Sequence, residues 1–228
     1  MSSGLIARLL AALALASLGL APASAEEVRE LIAPYLRARD EGALGGLAAE
    51  AHGLPRRAAE PPAPYDGVAV LVLPYSAQVD AELEKVKTEL RNSLKDYGTS
   101  AHKVTAIRAA YERVLLAAGG GELIRGEVSD SKGMLRLSGV PAGDWLVLAW
   151  REVFHPQRAP RVKRPDASRF PDVPVALGHD VVSYWRARVS ITAGETASIA
   201  LTDRNVWMTA VRQETSVPES TSAGPRGR

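Results

Sequence analysis

The chain has 228 residues, of which 46% are hydrophobic and 24% are charged, and it contains no cysteine. This composition is typical of a globular protein, and the lack of cysteine excludes disulfides, thiolate metal sites and lipid attachment through an N-terminal cysteine. The 28 basic and 26 acidic residues leave a net charge of +2. That charge is too small for a dedicated nucleic-acid-binding protein, so we expect no nucleic-acid partner.

The first 25 residues have the three-part pattern of a secretory signal peptide. Arg8 supplies a positive charge, residues 9–21 are apolar and uncharged, and Ala23-Ser24-Ala25 is a small-x-small cleavage signal. We expect cleavage after Ala25 and a periplasmic or secreted location. A spanning helix needs about 20 apolar residues, and this run is shorter, so no integral membrane segment is expected after signal removal.

Residues 26–52 are expected to form an N-terminal helical segment. Helical spacing of apolar residues predicts a helix from Glu26 to about Leu47, which Pro34 kinks or splits. The residues that recur at this spacing are Val28, Leu31, Ile32, Tyr35 and Leu36. Residues 53–64 are rich in proline, arginine and alanine, which predicts an extended linker and a boundary near residue 64.

A strand and a helical hairpin are predicted next. Residues 67–73 are apolar on both faces, so a strand there must be covered on both sides. Apolar residues then advance by three or four along residues 77–120, which predicts two amphipathic helices. Gly98 is expected to end the first helix, and Thr99 or Ser100 is expected to cap the second.

From residue 122 the apolar period changes to two, which is typical of strands. Residues 144–150 are apolar on both faces, which predicts a central strand beside residues 67–73. Further strands are predicted at residues 122–128, 134–137, 181–192, 196–201 and 205–211. Residues 155–179 show no period and are expected to form a long surface loop, and residues 212–228 a disordered tail.

Three motifs carry a resemblance to a known family. They are Gly126-x-Val128-Ser-Asp130-x-x-Gly133, Val140-Pro-Ala-Gly143-Asp-Trp145 and Val189-x-Ile-x-Ala-Gly194-Glu-Thr. This part of the chain, residues 126–201, resembles the carboxypeptidase regulatory-like family. The resemblance implies a mainly β fold, a prealbumin-like (transthyretin-like) β-sandwich grouped with carbohydrate-binding-like domains. We therefore expect a sandwich over residues 65–211, with a two-helix hairpin inserted at 77–120 and a helix before it.

Catalytic motifs are not found in the sequence. None of the four histidines is followed by Glu at the third position, and there is no His-Glu-x-x-His, so zinc peptidase activity is not expected. Ser100 fits a helix cap better than a nucleophile. Asp130 and Asp144 fit turn residues better than calcium ligands. We expect no catalytic residue, no metal and no cofactor.

Two sets of residues are candidates for binding. A group of cations, interpreted as a solvated face or as a contact surface for anions, comprises Arg158, Arg161, Lys163, Arg164 and Arg169. Three rings, which either stack on sugars or pack beneath the helical hairpin, are Trp150, Tyr184 and Trp207.

The sequence therefore predicts an exported, non-catalytic module that binds or assembles with a partner in the cell envelope. The partner is an envelope protein or a polysaccharide. The alternative is a carbohydrate-binding module, and a less favoured third interpretation is a hydrolase with an unrecognised site.

Overall fold

The computed structural model describes residues 25–55, 57, 60–156 and 175–216. Its helices are α1 (Ala25–Asp40), α2 (Ala77–Glu89) and α3 (Leu94–Ala117), with short 3₁₀ turns at Gly121–Leu123 and Asp203–Asn205. Its strands are β1 (Leu44–Gly53), β2 (Ala63–Pro64), β3 (Ala69–Pro74), β4 (Arg125–Val128), β5 (Met134–Pro141), β6 (Gly143–Pro156), β7 (Val175–Ile191), β8 (Thr196–Thr202) and β9 (Met208–Ser216).

These strands form two sheets that enclose one hydrophobic core. In the first sheet, β1 pairs with β5 in the antiparallel sense and with β8 in the parallel sense, and β2 pairs with the end of β1. The second sheet has the order β4-β3-β6-β7-β9 and is antiparallel throughout. Leu47 and Leu137 of the first sheet share the core with Val147 and Ile191 of the second. The predicted mainly β sandwich with an N-terminal helix and an inserted helical hairpin is confirmed.

The centre of the second sheet is buried on both faces. Trp145, Val147 and Ala149 point to one face of β6, Leu146 and Leu148 point to the other, and all five are essentially inaccessible to solvent. Strands of this kind need cover on both sides. The first sheet covers one face and the helices cover the other. The predicted pairing of this strand with β3 is confirmed, with Leu71 opposite Leu148.

Polar contacts fix the helical hairpin on the second sheet. The Tyr111 hydroxyl donates to the carbonyl of Pro74 at 2.9 Å, and the Arg186 guanidinium donates to the carbonyl of Asp80 at 2.9 Å. The Arg186 guanidinium also pairs with the Glu84 carboxylate at 2.6 Å. These contacts tie α2 to β7 and α3 to the end of β3, so the hairpin is part of the core and forms a third layer.

The boundary between α2 and α3 differs from the prediction. The helices separate at residues 90–93, and Gly98, Thr99 and Ser100 all lie inside α3. Ser93 is the N-cap, because its hydroxyl oxygen accepts from the backbone N–H of Asp96 at 3.0 Å. A glycine inside a helix costs only about 1 kcal/mol relative to alanine, which packing of the helix easily outweighs. The predicted caps at Thr99 and Ser100 are therefore wrong.

The N-terminal segment also differs from the prediction. The helix ends at Asp40, runs through Pro34 without splitting, and is followed by β1 at Leu44–Gly53. Gly45 shows why tertiary packing decides here: a Cβ at this position would lie 2.4 Å from the carbonyl oxygen of Thr192. The helical prediction for residues 44–52 is wrong, because these small residues suit a closely packed strand of the sandwich.

Two further boundaries are corrected. Residues 155, 156 and 175–179 belong to β6 and β7, and residues 212–216 belong to β9, so the predicted loop and tail are both shorter than expected. The remaining residues of that loop and tail, and residues 1–24 of the predicted signal peptide (1–25), lie outside the described residues. Within the described ranges, no helix has both the length and the apolar character needed to cross a membrane.

Candidate functional site

Strands β6, β7 and β9 continue past Ala69, the first residue of β3, and form an extension of the second sheet. β3 pairs with β6 only as far as Trp150, whereas β6 stays paired with β7 to Pro156, and β7 stays paired with β9 to Val175. We call residues 151–156, 175–183 and 209–216 the arm. Six residues of strand extend the sheet by about 20 Å. Among the described residues, no strand pairs with the outer side of β6 along 151–156, so this edge is open.

An ion-pair network on one face of the arm holds its three strands together. The Arg212 guanidinium on β9 donates to both carboxylate oxygens of Glu152 on β6, at 3.2 and 2.6 Å, and to the Asp180 carboxylate on β7 at 3.0 Å. Asp180 is only 6% exposed. The hydrogen bonds to Glu152, followed by those to Asp180, raise the pKa of Arg212 despite the opposing effect of burial. This network links all three strands.

A second cluster fixes the base of the arm to the first sheet. The Arg151 guanidinium lies 4.2 Å from the centre of the Tyr65 ring, and the Tyr65 hydroxyl donates to Asp203. Asp203 also accepts from the backbone N–H of Leu54 at 2.9 Å. Burial, together with the hydrogen bond to Asp203, raises the pKa of Tyr65 to about 12. The hydrogen bonds from Tyr65 and Leu54 lower the pKa of Asp203.

The open edge of the arm carries exposed apolar and imidazole side chains. Phe154 is 49% exposed and Val153 is 36% exposed. His155 on β6 is the register partner of His179 on β7, and their rings stack with centroids 5.4 Å apart and planes 16° apart. Exposed backbone groups at a sheet edge are a template for a further strand, and exposed apolar side chains beside them add contact area. The arm is therefore the candidate binding surface.

The three rings predicted to contact sugars lie near the helical hairpin or pack beneath it. Tyr184 is 5% exposed and is hydrogen-bonded to Thr105 of α3. One face of each tryptophan is occupied by an arginine: Arg108 lies 4.7 Å from the Trp150 ring, and Arg186 lies 4.7 Å from the Trp207 ring. The indole N–H of Trp207 donates to Glu84 at 3.2 Å. These contacts fit the packing interpretation, and a role in glycan binding stays a prediction.

The predicted anionic contact surface lies outside the described residues. Its five cations belong to residues 157–174, which join Pro156 at the end of β6 to Val175 at the start of β7. Chain connectivity therefore attaches these cations to the arm. The sequence revealed the charges, but it could not reveal that the flanking residues form paired strands.

Asp130 and Asp144 have separate partners in the structure. The Asp130 carboxylate accepts from the backbone N–H groups of Lys132 and Met134, at 2.9 and 2.8 Å, and so closes the turn between β4 and β5. Asp144 pairs with Arg188 and Ser190. No group of three or more His, Cys, Asp or Glu suited to a metal is found in the part of the chain that the structure describes.

A cleft of about 250 Å³ opens between the two sheets beside β8. Its walls are mainly apolar and include Val147, Trp185 and Ile199, with Asn205 at one side. The Asn205 amide is already used, since it donates to the carbonyl of Ala200 at 2.6 Å and accepts from the backbone N–H of Thr202 at 2.7 Å. The indole N–H of Trp185 donates to the carbonyl of Thr202 at 2.8 Å. The polar groups of this cleft are therefore engaged in holding the fold.

Comparison with known proteins gives distant similarities of fold. No protein-family model and no curated protein matches the chain. A proposed carbohydrate-binding protein from Pseudomonas aeruginosa is similar over 70% of this chain and 88% of its own, with 10% identity and a TM-score of 0.37. The minor pilin GBS52 of Streptococcus agalactiae is similar over 70% of this chain and 44% of its own, with 12% identity and a TM-score of 0.29.

The pilus backbone protein RrgB of Streptococcus pneumoniae is similar over 70% of this chain and 41% of its own, with 11% identity and a TM-score of 0.26. The chain thus spans less than half the length of these two pilins. Sequence identities of 10–12% do not indicate which ligand or partner this chain binds. Membership of the carboxypeptidase regulatory-like family stays a prediction. The β-sandwich itself is established by the two packed sheets of the structure.

Proposed function

We propose that the chain is an exported, non-catalytic module that binds a protein of the cell envelope through the arm. The partner supplies an extended, acidic segment that pairs with β6 along residues 151–156. The observation that carries this proposal is the open edge of β6, which continues six residues beyond its last pairing with β3. Strand addition uses main-chain hydrogen bonds for affinity and alternate side chains for specificity.

The side chains along this edge suit strand addition. Natural edge strands are commonly protected by lysine, by proline or by a covering loop. Here residues 152–155 contain neither lysine nor proline, and they present Val153 and Phe154 to solvent. Glu152 is held by Arg212, so its charge is compensated within the arm. An incoming strand would therefore meet no uncompensated charge along residues 152–154.

The charge of the connecting residues supports an acidic partner. Residues 157–174 contain five arginines and lysines against two aspartates, Asp166 and Asp172. Opposite charge on a partner increases the rate of encounter and fixes which partner is accepted. We therefore infer that the extended segment carries Asp or Glu residues close to the part that pairs with β6.

Export is supported by the sequence of residues 1–25. The described part of α1 runs from Ala25 to Asp40, so cleavage after Ala25 removes only one of these residues. Glu26 and Glu27 then lie in the first helical turn, where negative charge is favourable. Val28, Ile32 and Tyr35 of the same helix are buried in the core, so the mature chain keeps its contacts.

Site-specific photo-crosslinking in the native cell tests this function. A photoreactive amino acid replaces Val153 in the arm or, as the control, Leu116, which is 59% exposed on α3. We expect the exported form, beginning at Glu26, to crosslink through position 153 to an acidic, extended segment of one envelope protein. A synthetic peptide of that segment should then protect from hydrogen exchange those backbone amides of residues 151–155 that point away from β7.

Two outcomes would contradict the proposal. Equal crosslinking from positions 153 and 116 would show that the arm is not a preferred surface. Quenching of tryptophan fluorescence by a polysaccharide, lost on replacing Trp207 but unaffected by Phe154→Ser, would favour the carbohydrate-binding alternative.

A further inference from the structure

Two of the four histidines of the chain meet across the arm. His155 and His179 are register partners on antiparallel strands, with ring centroids 5.4 Å apart. His155 is exposed and His179 is half-buried, so solvent reaches both. The other two histidines are His52 on β1 and His102 on α3. The pairing depends on the register of β6 against β7 and is not visible in the sequence.

Within the described part of the chain, neither imidazole has a hydrogen bond or an ion pair with another residue. Strand alternation places Val153 and Val181 on the same face as the two rings. The charged network of Glu152, Asp180 and Arg212 lies on the opposite face and is internally paired. The rings are thus a pair of accessible nitrogen ligands beside two valines.

Imidazole nitrogen is a preferred ligand of Zn²⁺, Ni²⁺ and Cu²⁺. Nitrogens bound to one tetrahedral zinc ion lie about 3.3 Å apart, given a Zn–N distance of about 2.0–2.1 Å. Directly opposite residues in an antiparallel pair have Cα atoms about 4.5–5.5 Å apart, so rotation of the two side chains can bring their nitrogens to this separation. Backbone pairing therefore keeps the Cα atoms of the two histidines close together before a metal binds.

We propose that His155 and His179 form a two-ligand site for a divalent transition-metal ion, with water in the remaining coordination positions. The site does not depend on the proposed protein partner, because both ligands belong to this chain. A metal bound there would link β6 to β7 near the ends of the two strands that residues 157–174 connect. With two protein ligands, the site would bind more weakly than sites of three or four ligands, and among these ions Cu²⁺ would bind most tightly.

Zinc titration of the untagged mature chain tests the site. We expect one Zn²⁺ per chain by calorimetry, with binding at least tenfold weaker in both His155→Ala and His179→Ala. His52→Ala and His102→Ala are matched controls and should bind as the unmodified chain does. Circular dichroism of each variant establishes that its fold is retained.

Nuclear magnetic resonance of the imidazole ring protons gives a second readout. We expect Zn²⁺ to shift the signals of His155 and His179 together and to leave those of His52 and His102 in place. The proposal is overturned if zinc binds equally well to the double variant His155→Ala with His179→Ala. It is also overturned if millimolar zinc leaves the two ring signals unchanged.

Discussion

Gly133 shows how a single residue can decide whether two strands meet. It has a φ of 74°, and its carbonyl accepts from the backbone N–H of Ala51 on β1 at 2.8 Å. A Cβ at this position would lie 2.1 Å from the carbonyl oxygen of Ala51. Any other residue would have to move backbone atoms of the first sheet, in addition to adopting a left-handed conformation.

We expect Gly133→Ala to lower the free energy of unfolding by about 2–4 kcal/mol, since conformational strain and a backbone clash add. Gly42→Ala is the matched control. Gly42 also has a positive φ, of 71°, but a Cβ there meets nothing within 4 Å. That variant should lose only about 1–2 kcal/mol from conformation. Urea denaturation of both variants measures the difference, and equal losses would show that the contact with Ala51 is unimportant.

The start of α3 shows how a helix boundary is set by side-chain hydrogen bonds. The Ser93 hydroxyl accepts from the N–H of Asp96 at 3.0 Å and donates to its carboxylate at 2.7 Å. Thr99 lies six residues after Ser93, and its hydroxyl donates to the carbonyls of Lys95 and Asp96 at 2.9 and 3.3 Å. Such bonding within a helix is neutral or slightly destabilising, whereas an N-cap is stabilising.

We expect opposite effects from alanine at these two positions. Ser93→Ala should lower the free energy of unfolding by about 1 kcal/mol, because a first-turn N–H loses its acceptor. Thr99→Ala should leave it unchanged or raise it by up to about 0.5 kcal/mol, since alanine has the higher helix propensity. Thermal unfolding monitored at the helical signal distinguishes them. If Thr99→Ala lowered the free energy of unfolding as much as Ser93→Ala does, the assignment of Ser93 as the N-cap would be contradicted.

The elements that the sequence predicts correctly are those with a strong apolar period. The two-faced strands containing Val72 and Leu148 are examples, because burial on both faces leaves an uninterrupted apolar run. β1 was not predictable in this way, since its glycines and alanines favour no secondary structure and its conformation depends on contacts with β5 and β8. The sequence does not predict the arm, because the pairing of His155 with His179 depends on the register between two strands, which no local pattern reveals.

At the scale of the whole molecule, Asp203 connects parts that are distant in the sequence. It lies between the second sheet and the end of the first, and accepts hydrogen bonds from Tyr65 and from the N–H of Leu54. Tyr65 in turn contacts Arg151 at the base of the arm. The ionised form of Asp203 is the form that these donors stabilise, so protonation of this carboxyl weakens the link between the two sheets and the arm.

The pH dependence of stability follows from the sign of this shift. Hydrogen bonds, first that of Tyr65 and then that of Leu54, lower the pKa of Asp203 in the folded state. Its contribution is therefore present above the unfolded value of about 3.9, and it is lost as the pH falls through the lower folded value. Because Asp203 is exposed, we expect this contribution to be about 1 kcal/mol or less.

We expect Asp203→Asn to unfold at a lower urea concentration than the unmodified chain at pH 7, because an amide attracts the two donors less strongly than a carboxylate. The difference between them should shrink as the pH falls from 5 to 2, because the unmodified chain then loses its ionised carboxylate. Tyr65→Phe removes one of the donors and should give an intermediate pH profile. Urea unfolding across this pH range measures all three. A constant difference between Asp203→Asn and the unmodified chain would mean that the charge of Asp203 does not couple the sheets to the arm.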